Sequence, residues 1–281
     1  MGVASFRDLF AAPAQKLVRE LMMTDLVTAR EDMDQEELSR LFAEHDLQAI
    51  PVVDAEGRMK GIVTVDDIVD VIQEEATEDI QKIGGTAALD KPYLETGIFE
   101  MMRKRVGWLS VLFVGEMLTA SAMGRFEDEI ARAVVLSVFI PLIISSGGNA
   151  GSQASTLVIR AMALGEVKLA DWWRIVHREV LQGLGMGLFL GVLGFGGVEL
   201  WQTLFGTYGE HSTRVGITVG VSVLGVVAFG TIAGSMLPFA LRRAGLDPAS
   251  ASAPFVATFV DVTGIVIYFS VASLVLRGSL L

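Results

Sequence analysis

A stretch of 27 residues near the end of the sequence, Ser250–Leu276, is apolar and long enough to cross a lipid bilayer. Its one charged residue, Asp261, lies near the middle. A carboxylate at that depth costs at least ~2.5–3.5 kcal/mol and normally faces a cavity, a partner or an ion. Because the stretch contains no lysine or arginine to neutralise Asp261, the sequence predicts that a cation meets this carboxylate.

Four further apolar stretches precede this one. They are Val106–Met123, Ala133–Ile159, Val180–Phe205 and Val215–Leu241. The fold class predicted is an α-helical polytopic membrane protein with five transmembrane helices per protomer, preceded by a soluble N-terminal part. An odd number of spans places the two termini on opposite sides of the membrane.

Basic residues flank the five spans unevenly, with nine on one side and four on the other. The nine are Arg103, Lys104, Arg105, Arg160, Lys168, Arg174, Arg178, Arg242 and Arg243, and the four are Arg125, Arg132, Arg214 and Arg277. The positive-inside rule therefore predicts a multi-pass protein of the cytoplasmic (inner) membrane, with its N-terminus in the cytosol and its C-terminus outside.

Charge divides the chain near Arg105. Residues 1–105 contain 12 Lys/Arg and 22 Asp/Glu, a net charge of −10, whereas residues 106–281 contain 10 and 11, a net charge of −1. So acidic a domain is a poor binder of nucleic acid and a plausible binder of divalent cations. The sequence has no cysteine, which excludes disulfides and thiolate metal sites.

The soluble part contains a repeat. Gly2–Leu9 matches Gly61–Ile68 in pattern, 59 residues later, and both read as a strand running into a helix with a Ser/Thr–Asp cap. Between the two copies the sequence predicts a helix over Asp34–His45, strands over Ile50–Asp54 and Met59–Val63, and a turn over Ala55–Arg58. This β-β-α ending resembles the CBS domain, a regulatory module that works as a tandem pair, so the soluble part is expected to be an α/β CBS-type cytosolic domain. The resemblance makes residues 21–76 one CBS domain and residues 1–20 the end of a first copy.

The second span carries polar residues and glycines. Pro141 is followed by Ser145–Thr156, which includes Asn149 and Gln153. This composition predicts a break or kink, with Asn149 and Gln153 lining a cavity, because irregular backbone at membrane depth survives only when it lines a cavity or is buried in protein. The alternative is a kinked helix whose polar groups satisfy one another. Glycines at four-residue spacing in spans three and four predict close helix packing.

The linker over residues 77–105 is predicted to be an acidic-to-amphipathic, plug-like helix. It follows the acidic run Glu74–Asp79 and ends in the basic cluster Arg103–Arg105, which suits anionic membrane lipid.

Two membrane motifs identify a further resemblance. The segments Pro141–Ala161 (PLIISSGGNAGSQASTLVIRA) and Pro254–Tyr268 (PFVATFVDVTGIVIY) resemble the MgtE family of magnesium channels and transporters, and the order of CBS domain, acidic segment and five spans agrees. The resemblance makes residues 106–281 a transmembrane pore domain and implies a homodimer around a two-fold pore. It also implies a helical domain ahead of the CBS pair that these residues do not include.

The family pattern matches Asp261 to a pore-lining aspartate, with Ala257 one turn earlier as part of the metal site. It assigns regulatory Mg²⁺ to cytosolic acids, here Glu36, Asp46, Asp67, Asp70, Glu75, Glu78 and Asp79. Asp8 and Asp67, at the strand–helix corners, would suit a nucleotide such as ATP.

The function expected is a magnesium channel or transporter gated by cytosolic Mg²⁺, and Mn²⁺, Co²⁺ and Ca²⁺ stay open as further ions. A CBS-regulated membrane sensor or scaffold with a structural Asp261 is the alternative. An anion channel would need a basic or amide-lined pore. An intramembrane metalloprotease needs His-Glu-x-x-His, whereas His177 is followed by Arg178 and Glu179. We therefore do not expect an enzyme.

Overall fold

The structure, a computed structural model, describes residues 2–280. Its elements form two units, the first ending at Glu78 and the second beginning at Asp79. The first unit contains α1 (Phe6–Ala11), β1 (Ala29–Arg30), α2 (Gln35–His45), β2 (Ala49–Val53), β3 (Met59–Thr64) and most of α3 (Val65–Ile83).

The three strands form one sheet in the order β1-β2-β3, with β1 parallel and β3 antiparallel to β2. The apolar core of this unit is built from Ala29, Phe42, Ile50 and Ile68, which come from two strands and two helices. The helix α2 and the strands β2 and β3 lie within one residue of their predicted bounds. The predicted turn is held by the buried Asp54, which accepts hydrogen bonds from the backbone N–H groups of residues 56 and 58.

The repeated Ser/Thr–Asp cap is present in both copies. The Thr64 hydroxyl donates to Asp67 at 2.6 Å, and the Ser5 hydroxyl donates to Asp8 at 2.6 Å. The backbone N–H of Thr64 also donates to the Asp67 carboxylate, at 3.0 Å. These two hydrogen bonds from Thr64 lower the pKa of Asp67 below its ordinary value.

The second unit is helical apart from its connections. Its helices are α4 (Ile98–Gly124), α5 (Glu127–Arg132), α6 (Val135–Ala163), α7 (Trp172–Phe205), α8 (Ser212–Arg243) and α9 (Ala253–Val275). Five of them, all except α5, are long and apolar enough to cross a membrane, which confirms the five predicted spans. The helix α8 is central, since 56% of its most apolar 18-residue segment is buried inside the protein. The helix α4 is peripheral, since only 6% of its corresponding segment is buried.

Of the break or kink predicted in the second span, the break is wrong, because α6 runs unbroken through Pro141 and the glycines. The glycines serve packing: a Cβ at Gly151 would lie 2.9 Å from the Gly230 carbonyl oxygen, and one at Gly147 would collide with Val226. A bare backbone is therefore needed where α6 crosses α8. The close packing predicted for spans three and four is confirmed, since a Cβ at Gly187 would lie 2.9 Å from the Leu224 carbonyl oxygen.

The linker is not one helix as predicted, because α3 ends at Ile83 and α4 begins at Ile98. The chain turns at Gly85, where the backbone has a φ of +76°, a conformation that favours glycine. The absence of a side chain also leaves room for the Trp108 ring, because a Cβ at this position would lie 2.9 Å from it. Lys104, in the second turn of α4, pairs with Asp90 at 2.7 Å and lowers the pKa of that carboxyl. The basic cluster thus belongs to the first span and not to a separate surface helix.

The membrane orientation predicted from the uneven distribution of basic residues can be tested with reporter fusions. A reporter fused after Leu281 is expected outside the cell and one fused after Arg243 inside, because nine basic residues flank the predicted inner side. The two fusions are compared by reporter activity and by protection from external protease. The reverse pair of locations would overturn the assignment.

Candidate functional site

The carboxylate of Asp261 lies in the third turn of α9 and is half-buried. It faces α6 at Gly148, where a Cβ would lie 3.7 Å from Asp261 Oδ1 and 3.4 Å from the Ala257 Cβ. The two residues that the family pattern places in the pore, Ala257 and Asp261, therefore share one face of α9 against a glycine of α6. This arrangement keeps bulky side chains away from the carboxylate.

The start of α9 is fixed by hydroxyl groups. The Ser252 hydroxyl caps the helix by accepting the N–H of Phe255 at 3.3 Å, and it also accepts the indole N–H of Trp108 at 2.9 Å. From α6, the Ser152 hydroxyl donates to the Ala253 carbonyl and the Ser155 hydroxyl to the Ala251 carbonyl, both at 2.9 Å. Sequence reasoning missed these serines, although their spacing of three on α6 indicates a shared face.

A polar stripe runs along the exposed side of α6. It consists of Ser145, Asn149, Gln153 and Thr156, which recur at helical spacing and are all exposed. Part of it, with Ser152 and Leu157, lines an open groove of about 410 Å³. Amide and hydroxyl groups in a membrane span normally face a water-filled cavity or another helix, so this side of α6 is suited to line a polar path.

A second carboxylate lies near Asp261 and was missed by sequence reasoning. Glu116, in α4, accepts a hydrogen bond from the Thr258 hydroxyl at 3.1 Å, and Thr258 precedes Asp261 by three residues on α9. The signal was visible, since Glu116 lies in the middle of the first apolar stretch. Within residues 2–280, no ion pair involves either carboxylate.

The predicted cytosolic acids are distributed over two helices. Glu36 pairs with Arg40 on α2, Asp46 ends α2 with a φ of 50°, and Glu75 accepts from the Gln35 amide at 2.6 Å. The remaining acids lie along α3: Asp67, Asp70, Glu78 and Asp79. In the part of the chain that the structure describes, no three carboxylate or histidine side chains come together as a metal site. The possible nucleotide residues Asp8 and Asp67 are each engaged by their own capping hydroxyl.

Comparison with known proteins relates both parts of the chain to described families. Residues 140–271 match the family model described as MgtE, divalent cation transporter, and residues 18–74 match the CBS domain. The magnesium transporter MgtE of Thermus thermophilus is 44% identical over 277 residues, which are 99% of this chain and 60% of that protein. The magnesium transporter MgtE of Enterococcus faecalis is 34% identical over 278 residues, 99% of this chain and 59% of that protein.

One solved structure is similar in sequence, a crystal structure of the cytosolic domain of the Mg²⁺ channel MgtE in complex with ATP. The match has 53% sequence identity, covers 25% of this chain and 28% of the chain in that structure, and has a TM-score of 0.24. The chain spans about 60% of the length of the curated relatives it matches. These relatives are named as transporters and not as enzymes. With its CBS domain, its five apolar helices and similarity to these transporters along 99% of its own length, the chain belongs to the MgtE family.

Proposed function

We propose that the chain forms a magnesium channel or transporter in which Asp261 is the carboxylate that meets the ion. The observation that carries this proposal is the half-buried Asp261 in a helix long and apolar enough to cross a membrane, with no ion-pair partner among the described residues. The names of the MgtE relatives support magnesium as the ion. A cation at Asp261 would offset the cost of a carboxylate at this depth.

The chemistry of magnesium fits a roomy site better than a tight one. Mg²⁺ dehydrates reluctantly and keeps several of its waters when it binds carboxylates. The small side chain of Ala257 and the bare backbone of Gly148 leave space beside Asp261, so the carboxylate can hold a hydrated ion through its waters. The exposed amides of Asn149 and Gln153 offer further hydrogen bonds to water along α6.

A homodimer is part of the proposal. The exposed face of α6 carries the polar stripe, which a single chain would present to lipid at a high cost. A second copy would cover this face and enclose a water-filled path, with one Asp261 from each protomer. Two facing carboxylates would otherwise force one of them to take a proton, and a bound cation keeps both ionised.

Uptake into sealed vesicles tests the proposal. The purified chain in liposomes that contain a magnesium-sensitive dye is expected to admit Mg²⁺ when it is added outside, faster than protein-free liposomes. Mn²⁺, Co²⁺ and Ca²⁺ are compared in the same assay. Absence of uptake, with the protein folded and inserted, would favour the sensor or scaffold alternative.

Gating by cytosolic magnesium is the second part of the proposal. Like charges about 4 Å apart repel by roughly 1 kcal/mol in water and by about 4 kcal/mol at an effective dielectric constant of 20. Residues 1–105 carry a net charge of −10, with acids repeated along α3. Magnesium that relieves this repulsion can close the pore only if it binds the closed state better than the open one.

Charge neutralisation on α3 tests this gating. Replacing Asp67, Asp70 and Asp79 by Asn, and Glu75 and Glu78 by Gln, is expected to weaken inhibition by internal Mg²⁺ without removing conduction. The measurement is channel current at increasing internal Mg²⁺. The control neutralises five exposed acids elsewhere in the first unit: Glu20, Asp25, Glu31, Glu37 and Glu44. Equal inhibition of both variants over the wild-type Mg²⁺ range would place the gate elsewhere.

A further inference from the structure

Two of the five spans, α4 and α9, are joined by side-chain hydrogen bonds at two positions along their length. Near the start of α9, the Trp108 indole donates to the Ser252 hydroxyl at 2.9 Å. Further along, the Thr258 hydroxyl donates to the Glu116 carboxylate at 3.1 Å. Eight residues separate the two positions on α4 and six on α9, about 12 and 9 Å of helix rise. The two helices therefore run side by side in the same direction, and Glu116 lies deep within the first span.

The carboxylate of Glu116 is directed to the face of α9 that carries Asp261. Its hydrogen-bond partner, Thr258, precedes Asp261 by three residues and so lies one turn away on the same face. Gly115 lets α4 approach, because a Cβ there would lie 2.5 Å from the Thr258 methyl group. The hydrogen bond to Thr258 thus places the Glu116 carboxylate about one helical turn from Asp261 along α9.

The surroundings of Glu116 argue against a purely structural role. The side chain is exposed on a helix whose neighbouring residues, among them Phe113 at 69% and Met117 at 58%, are also exposed and apolar. A structural hydrogen bond to Thr258 would need only a neutral acceptor. An ionised glutamate at mid-span is costly unless a cation or water reaches it.

We propose that Glu116 is a specificity-determining residue of this transporter, a second carboxylate that favours a divalent over a monovalent ion where the ion meets Asp261. This inference rests on the proposed function. Thr258 holds the Glu116 carboxylate beside the path, and the ion interacts with both carboxylates through its water shell. A second negative charge attracts a doubly charged ion twice as strongly as a singly charged one.

The test separates the effect of the Glu116 charge on ion selectivity from the effect of its hydrogen bond with Thr258. Glu116→Gln removes the charge and keeps an acceptor for Thr258, whereas Thr258→Val removes the donor and keeps the charge. Both variants are reconstituted in planar bilayers, and the permeability ratio of Mg²⁺ to Na⁺ is taken from reversal potentials. Glu116→Gln is expected to lower this ratio by roughly tenfold, and Thr258→Val by less.

A structural role for Glu116 makes the opposite prediction: wild-type selectivity in Glu116→Gln and a larger loss in Thr258→Val. That result would overturn the inference while leaving Asp261 as the ion site. If Glu116→Gln does not yield folded protein, Glu116→Asp and Glu116→Asn provide the same comparison, since the two differ only in charge. Equal selectivity of that pair would also overturn the inference. A wild-type chain that passes no divalent ion would instead overturn the proposed function.

Discussion

Asp261→Ala is expected to abolish magnesium uptake and to leave a folded, membrane-inserted protein. Asp261 has no cation partner in residues 2–280 and faces a glycine of α6, so the packing around it does not depend on its charge. Its removal should lower the uptake rate by roughly a hundredfold or more, equivalent to about 2.7 kcal/mol at the ion site. Uptake is measured in dye-loaded liposomes, and folding by thermal denaturation in detergent.

Two further variants define the role of the charge. Asp261→Asn keeps an oxygen ligand and is expected to retain some flux while losing selectivity against monovalent ions. Glu210→Ala, which removes an exposed carboxylate of the α7–α8 connection, is the matched control and should behave as wild type. Wild-type uptake by an Asp261→Ala protein of normal stability would make Asp261 a structural residue only.

Gly234→Leu is expected to cause the largest loss of stability. Gly234 of α8 packs directly on the backbone of Gly151 in α6, and a Cβ at this position would collide with the Gly151 carbonyl group. Neither backbone can yield without separating the two helices. Overpacking of a core typically costs about 1–3 kcal/mol, and a clash with backbone should reach or exceed the upper value. The melting temperature in detergent and the yield of inserted protein measure the effect.

The control for this variant is Gly185→Leu. Gly185 lies in α7, is exposed, and has no atom within 4 Å of a would-be Cβ. The same substitution there should leave the melting temperature unchanged or raise it, because leucine favours helix more than glycine does. Equal melting temperatures for the two variants would contradict the tight crossing of α6 and α8.

The spans and the central carboxylate were predictable from local sequence. Stretches of twenty or so apolar residues are typical of membrane spans, and an acidic residue in the middle of one is a candidate functional residue whatever the tertiary structure. The unbroken α6 was not predictable in this way. Glycine disfavours an isolated helix, and only the crossing of Gly147 and Gly151 with α8 shows that the glycines serve helix packing.

Tertiary contacts also decide the parts of the site that sequence reasoning missed. Glu116 lies against the part of α9 that carries Asp261, where Thr258, 142 residues further along the chain, donates to it. Ser152 and Ser155 matter because the start of α9 presents two carbonyl groups to them. The acids of α3 are periodic in the sequence, but periodicity does not determine which of them a regulatory ion would bring together.

The reversal potential under a magnesium gradient tests the central claim most directly. The purified wild-type chain is placed in a planar bilayer with a tenfold gradient of magnesium chloride, whose anion would give a reversal potential of the opposite sign if it were the permeant ion. A magnesium-selective pore that contains Asp261 is expected to give a current that reverses near the Mg²⁺ equilibrium potential, about 30 mV for a doubly charged ion, and this current should disappear in Asp261→Ala. A current that reverses at the anion potential, or that persists unchanged in Asp261→Ala, would contradict the account.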